Sequence, residues 1–526
     1  MSFWGWFWPV LGLATFLSFP YFFSLETFFS HDDFALLWFH KGWPLTKPWV
    51  FFQTDVLTFY RPIQNYLLAV LFYVFGMNPI PYGTILVAVH VANVVLFGRM
   101  VQRVFEDVFL TFLSVIFFAA DWQYCDVVFW KGNYGTALSW LFVLGACNLF
   151  ADHLRTGSRR LYAGAFALLV LALMSKETAA NAPLLLSLLY WARWPRLSQP
   201  AAISEGGAAA ATVERRDWRP RAIHFLRLLA PFYALSLAYV VFHRLAVRDV
   251  YTWLPKGYEI QAPWEATKAI LHALTWWLTA LVSASLPSLA SERTADSIQS
   301  WLDSNLSLHF GLAALVALAT IALRNRRMAF GLLWAVLAFI PANMIPDYHT
   351  PRYYYGAIMG IAVLFAEIFV AADRAIVRRG RFAATASARV AGSLLILAFV
   401  FSNMICTTHN VAVDTRICRP IEDLYRFLVS QRGRIPPKTL FRVRCLRGPL
   451  HFHEGMGLRE MFKLALQDDS VEAILPPPDQ NLTPEVASLL EREYSKPVEV
   501  FREASGRFRL VVAVSTTSTA TVAPPK

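Results

Sequence analysis

Five short stretches hold the residues whose types and spacing suit chemistry. Ser30-His31-Asp32-Asp33-Phe34 sets two carboxylates side by side after an apolar run. Tyr60-Arg61-Pro62 carries a guanidinium into a second run, with Pro where the first turn of a helix tolerates it. Asp121-Trp122-Gln123-Tyr124-Cys125-Asp126, followed by Trp130-Lys131-Gly132-Asn133, interleaves charges with aromatics. Ser175-Lys176-Glu177 lies between two apolar runs with almost no loop. Pro341-Ala342-Asn343, Pro346-Asp347-Tyr348-His349 and Pro351-Arg352-Tyr353-Tyr354-Tyr355 form the fifth. A placed carboxylate takes a proton from a hydroxyl or amine. Placed cations hold a phosphate as charge gathers on it.

Each stretch alone also has a plain reading. An acidic pair is a solvated turn that stops a helix. Alternating Trp and charge is an interfacial belt with snorkelling side chains. A Lys-Glu pair is a tight turn, although a charge at bilayer depth costs about 2.5–3.5 kcal/mol. What separates the readings is whether the stretches meet, and that depends on the elements carrying them.

Those elements belong in a membrane. The chain has 526 residues, 56% hydrophobic, 15% aromatic and only 16% charged, with mean hydropathy +0.43. A soluble domain carries about 25% charged residues, so this composition excludes disorder and disfavours a soluble enzyme. The net charge of +12 fits basic loops that resist export and a surface suited to anionic lipid, without implying nucleic acid. Residues 3–25 are apolar and lack the basic start of a secretory signal, which predicts a permanent first span. Apolar runs at 79–98, 108–120, 134–150, 161–174, 178–191, 222–242, 308–323, 328–345, 353–370 and 390–406 predict further spans. The run 62–76 is short enough to be re-entrant or interfacial, and 269–289 is expected to be embedded without crossing.

Arginine and lysine orient these spans. Arg99 and Arg103, Arg155 to Arg160, Arg193 to Arg221, Arg324 to Arg327 and Arg374 to Arg381 fall on one side, expected to be cytoplasmic. All five chemical stretches then fall on the opposite face. Carboxylates and cations gathered beside lipid suit a substrate with a phosphate and a long apolar tail.

The order of these motifs resembles the GT-C superfamily of integral-membrane glycosyltransferases, over roughly residues 1–410. It runs from Asp-Asp after the first span through Tyr-Arg-Pro, an acidic loop with Trp-x-Gly and Ser-Lys-Glu to a late Pro and Arg-Tyr-x-Tyr. The likeness is to protein O-mannosyltransferases and related bacterial transferases that use polyprenyl-phosphate sugars. It implies an all-α polytopic membrane fold with about 11 transmembrane helices plus interfacial or re-entrant helices. It also implies transfer of a hexosyl or pentosyl group from a lipid-linked donor to a protein, lipid or glycan acceptor on the outer face, with inversion. Asp32 or Asp33 is then the base. Arg352, Lys176 and Arg61 hold the donor phosphate, and Asp126, Glu177 and Tyr353 line the substrate site. The sequence indicates no metal or other cofactor, with a divalent cation left open, and the expected membrane is the plasma (inner) membrane. A transporter or flippase of a lipid-linked or anionic solute, or a non-catalytic scaffold, are the rival readings. No internal repeat of the kind common in transporters is evident.

Residues 411–514 read as a small extracytoplasmic α/β domain and 515–526 as a disordered tail. Helical periodicity is expected at 421–429 and 458–466, and strands at 439–445, 471–475 and 508–514. His451-Phe452-His453-Glu454 reads as a solvated loop before a metal site, and Asn481-Leu482-Thr483 is a sequon. A disulfide between Cys418 and Cys445 is expected if both face an oxidising compartment.

Overall fold

The structure, a computed structural model, describes residues 3–30, 32–41, 46–52, 60–197, 219–246, 320, 324–340, 351–378, 382–445, 457–474, 497–502 and 508–512. The run 269–289, nearly all of 308–323, the motif residues 341–349, the stretch 451–454, the sequon at 481–483, the tail and the side chain of Asp32 lie outside this description.

The chain is an integral multi-pass membrane protein of helices with a small C-terminal sheet. In order the helices are α1 Phe3–Leu17, α2 Asp32–Lys41, α3 Pro62–Phe75, α4 Pro79–Phe105, α5 Val108–Ala120, α6 Cys125–Phe129, α7 Tyr134–Thr156 and α8 Arg159–Ser175. They continue with α9 Ala182–Leu197, α10 Arg219–Ala246, α11 Arg326–Phe339, α12 Tyr355–Arg378, α13 Phe382–Ser430 and α14 Leu458–Leu466. Among the described residues five helical stretches are long and apolar enough to cross a membrane: Pro79–Phe105, Lys131–Thr156, Ile223–His243, Arg352–Arg378 and Ala386–Ser430. Gly5–Leu17, Pro62–Phe75 and Val108–Ala120 are shorter apolar helices.

Local chemistry sets the ends. Pro62 opens α3 and Pro79 opens α4, where a missing N–H costs nothing. Asn78 Oδ1 accepts the Ile80 N–H at 3.2 Å, and Asp107 Oδ1 accepts the Leu110 N–H at 3.0 Å, so both cap their helices. The expected first span 3–25 is two pieces, because α1 stops at Leu17 and a 3-10 turn takes over at Phe19–Ser24. Pro20 has no N–H for the α ladder, and Ser18 Oγ donates back to the Ala14 carbonyl at 2.7 Å. Where α11 crosses α12, a Cβ on Gly331 would lie 2.6 Å from the Gly360 carbonyl oxygen. Only glycine permits that approach, and close backbone packing of small residues is how helices associate in lipid.

The core runs through α4, α5, α7 and α12, where Tyr82, Phe97, Phe118, Phe150 and Tyr355 are buried. α13 spans 49 residues without a break, roughly 74 Å at 1.5 Å per residue. It passes straight through position 410, where composition changes. The helical periodicity at 421–429 is therefore the last part of α13, with Ile421, Leu424 and Leu428 buried.

The sheet has strand order β2-β1-β3-β4, with β1 Leu440–Cys445, β2 Glu472–Ile474, β3 Pro497–Arg502 and β4 Phe508–Val512. β1 runs parallel to β2 and β3, and β4 is antiparallel to β3. Three of the strands match expectation; β3 was not expected. α14 covers the sheet, with Phe462 4.8 Å from Phe441 between ring centroids. Cys418 is a free, buried thiol on α13, so the disulfide expected with Cys445 is not formed. Its sulfur faces Asp414 Oδ2, 4.0 Å away on the same helix.

The basic loops meet at one end of the bundle. Asp107, between α4 and α5, accepts from Arg327 and Arg374, each at 2.7 Å. Glu367 takes the same two arginines at 3.3 and 3.5 Å and Asn325 Nδ2 at 2.9 Å. Asp152 pairs with Arg99 at 2.8 Å and Arg103 at 3.1 Å. Arg193 donates to the Arg103 carbonyl and lies 3.8 Å from Glu106. Loops that arginine bias assigned to one side are thus physically joined at one end.

Candidate functional site

At the other end, short described connections between helices carry chemical residues, among them Lys131, Lys176 and Glu177. Arg61 stands just before α3. Its Nε and Nη2 donate to Glu177 Oε2 and Oε1 at 2.9 and 2.6 Å, a two-pronged pair. Glu177 opens the 3-10 turn after α8. Burial works against its charge, but Arg61 and Lys176 hold its carboxyl down at about 2.

Lys176 ends α8 in extended backbone. Its ammonium is buried, donates to Thr136 Oγ1 at 2.5 Å and lies 5.2 Å from the Tyr353 ring centroid. Burial, with the positive charges of Arg61 and Arg352 nearby, holds it well below the ordinary lysine range against the pull of Glu177. Arg352, in the 3-10 turn Pro351–Tyr354, lies 4.8 Å above the Trp130 ring and 5.5 Å from the Tyr353 ring. Among the described residues neither Lys176 nor Arg352 is salt-bridged to a carboxylate. Asp126 sits on α6, within electrostatic reach of Arg352, and burial raises its carboxyl above the usual range. Asn133 Nδ2 donates to the Asp126 carbonyl at 3.0 Å and keeps this turn tight.

The acidic segment adjoins this cluster through Trp130 and Gly132. Asp33 is buried near the start of α2. Its Oδ2 accepts the Ser30 N–H at 2.9 Å, while its own N–H donates to the Ser30 carbonyl at 3.0 Å. The carboxylate thus closes the turn that leads into α2, as the acidic half of a capping box does. A Cβ on Gly132 would come within 3.0 Å of Asp33 Oδ1 and 3.2 Å of the Trp130 ring. The glycine thus lets the loop lie against the carboxylate. Lys131, also buried, donates to the Thr27 carbonyl at 2.6 Å and lies 6.0 Å from the Phe29 ring centroid. Asp33 and Lys131 line one small pocket with Phe29, Leu36, Leu37 and Leu68.

Of the residues singled out in the sequence, Arg61, Lys176, Glu177, Arg352, Tyr353 and Asp126 form one neighbourhood, and Asp33 adjoins it. Arg61 and Glu177 are bound to each other. Asp32 opens α2. Four contributors had not been assigned a role. Lys131 stood in a motif but was not weighed apart from it. Gln64, whose Nε2 donates to the Gly132 carbonyl at 3.2 Å, is a polar residue on an apolar helix. Asp414 and Thr415 lie on α13, and Thr415 Oγ1 is 2.7 Å from Thr27 Oγ1. A carboxylate inside a long helix was the available signal for them. Among the described residues no group of three His, Cys, Asp or Glu side chains is placed to hold a metal ion.

No protein-family profile and no curated protein matches the sequence. Among solved structures the chain is similar to ArnT from Cupriavidus metallidurans bound to undecaprenyl phosphate. That match has 10% identity and a TM-score of 0.44, over 97% of this chain and 98% of that one. It is also similar to the oligosaccharyltransferase AglB from Archaeoglobus fulgidus in complex with an inhibitory peptide and a dolichol-phosphate. Here identity is 12% and the TM-score 0.48, over 96% of this chain and 74% of that one. Likeness at this level concerns the course of the chain and says nothing of what it acts on.

Proposed function

We propose that this protein is a membrane glycosyltransferase that moves a sugar from a polyprenyl-phosphate donor to an acceptor at the outer face. The observation that carries the reading is the meeting of Lys176 and Arg352, cations unbridged by carboxylates among the described residues, with Trp130 and Tyr353. They meet beside the segment bearing Asp32 and Asp33, at the mouth of a lipid-embedded bundle.

The chemistry follows from these groups. The acceptor oxygen or nitrogen attacks the anomeric carbon, and its proton passes to a carboxylate. The bond from that carbon to the phosphate oxygen breaks, and the phosphate leaves with the electron pair. The donor phosphate goes from one negative charge to two, and Lys176 and Arg352 stabilise the added charge. Glycosidases also need an acid, because their leaving group is an alcohol. A phosphate leaves unaided, so one base suffices. Attack from the face opposite the phosphate inverts the centre. One oxygen of Asp33 is engaged by the Ser30 N–H ahead of α2, so we assign the base to Asp32 and a supporting role to Asp33. Arg61 and Glu177 neutralise each other and brace the turn that presents Lys176.

The test is transfer from synthetic polyprenyl-phosphate sugars by the full chain in nanodiscs. Transfer by the parent, lost in Asp32→Asn with donor binding kept, is the expected result. A parent that transfers none of the sugars offered, yet moves labelled donor across the bilayer, is a flippase and overturns the reading. Parental transfer by a well-folded Asp32→Asn, Asp33→Asn double variant removes the base assignment.

A further inference from the structure

We infer that the C-terminal domain is a positioning element for the acidic segment and acts through Trp38. The catalytic consequence rests on the reading above; the positioning does not. α2 lies in the seam between the bundle and the C-terminal part of the chain. On the bundle side Phe34 and Leu37 are fully buried, Phe29 packs edge-on against Tyr82 at 5.0 Å, and Lys131 holds the Thr27 carbonyl. On the other side α13 borders the segment leading into α2, through Thr415 on Thr27 and Tyr425 5.4 Å from Phe28.

Beyond α13, the sheet domain returns to grip the helix itself. Trp38 Nε1 donates to Asp469 Oδ1 at 3.0 Å, and Lys41 lies 3.6 Å from the same oxygen. Lys463 Nζ sits 5.2 Å from the Trp38 ring centroid. Lys463 is itself fixed, since it is buried and paired with Glu472 of β2 at 3.0 Å. An indole held at its N–H and over its face cannot turn about the helix axis without breaking both contacts. Trp38 is six positions after Asp32 on a ten-residue helix. Rotation of α2 by one residue swings every side chain on it by about 100°. The grip on Trp38 therefore sets where α2 aims the start of the helix.

The experiment compares four variants in the full chain: Trp38→Phe, Asp469→Ala, Asp469→Asn, and the first two combined. Trp38→Phe keeps an aromatic ring under Lys463 and removes the N–H together with the five-membered ring that carries it. Asp469→Asn keeps an acceptor. One readout needs no substrate: the rate at which a water-soluble maleimide labels Ala35→Cys on α2. The second is turnover against donor affinity. We expect Trp38→Phe and Asp469→Ala each to speed labelling and to lower turnover about two- to tenfold, the scale of one net hydrogen bond, with donor affinity unchanged. The double variant should match either single one, and Asp469→Asn should stay near the parent. Parental labelling and turnover in both Trp38→Phe and Asp469→Ala would overturn the inference. If Trp38→Phe folds poorly, Asp469, whose side chain is 65% exposed, carries the test alone. If the parent transfers no sugar, the proposed function falls, and labelling alone decides whether the domain holds α2.

Discussion

The two ends of the bundle use the same residue types in opposite ways. At the basic end every carboxylate of the network is engaged by a guanidinium: Asp107 and Glu367 by Arg327 and Arg374, and Asp152 by Arg99 and Arg103. At the other end Arg61 and Glu177 are closed in the same way, but Lys176 and Arg352 rest on a hydroxyl and on aromatic faces. A closed ion pair holds loops together. A cation on an aromatic face keeps its charge available to an incoming anion, at a cost in stability. On the proposed function, the difference assigns folding to one end and binding to the other, and each half of that statement can be broken separately.

The largest effect should come at the site end. Asp32→Asn keeps size and removes the proposed base, so turnover should fall about 10²–10⁴-fold with donor binding kept. Asp33→Asn removes the charge of the carboxylate that accepts the Ser30 N–H. It should act mainly on stability, by less than the roughly 0.5–2 kcal/mol of a cap lost to Ala because Asn keeps an acceptor, read as a slightly lower melting temperature in detergent with turnover less affected than in Asp32→Asn. The reverse ranking in a single-turnover assay would exchange the two roles.

Next come the cations. Arg352→Ala and Lys176→Met each remove a proposed charge-assisted contact to the donor phosphate, of a kind worth about 1.5–3 kcal/mol. Donor affinity should drop about 10- to 100-fold, measured by competition with a polyprenyl phosphate. Neither change should lower the melting temperature, because neither cation is salt-bridged among the described residues. A loss of stability matching that at the basic end would erase the contrast.

Asp107→Asn is the mirror experiment. It withdraws a carboxylate that accepts from Arg327, Arg374 and the α5 N-terminus. Leaving two partly buried guanidinium groups underpaired should cost about 1–3 kcal/mol of stability and leave donor affinity at the parental value. A loss of donor affinity without a loss of stability would show that the basic end takes part in binding.

The contrast also explains what was legible in the sequence. Arginine bias reflects a simple rule of export, so it correctly grouped Arg99, Arg193, Arg327 and Arg374 at one end. Proline at the first helical position marked the starts of α3 and α4 for an equally local reason. Ser30-x-x-Asp33 is a capping signature that was present in the chain and eclipsed by the neighbouring Asp32. The contribution of α13 was not legible, because Thr415 meets Thr27 across 388 residues and no local pattern marks such a contact. The end of the first span at Leu17 was missed because mean apolarity hid Pro20.

The smallest effect is a pH dependence that only the site end should show. Burial and two nearby guanidinium groups depress the Lys176 ammonium. A group so depressed is charged at low pH and loses its charge, as pH rises, earlier than an ordinary lysine does. A donor phosphate adds a negative charge beside it and draws the proton back. Donor binding should therefore take up protons above the depressed value, and affinity should fall as pH rises through it, by at most about tenfold per pH unit for one linked proton. Calorimetry in two buffers of different ionisation heat measures the uptake directly. Lys176→Met should abolish it, while Asp107→Asn should leave it intact. Equal uptake in the parent and in Lys176→Met would mean that another group titrates, and Lys176 would then not be the cation that meets the phosphate.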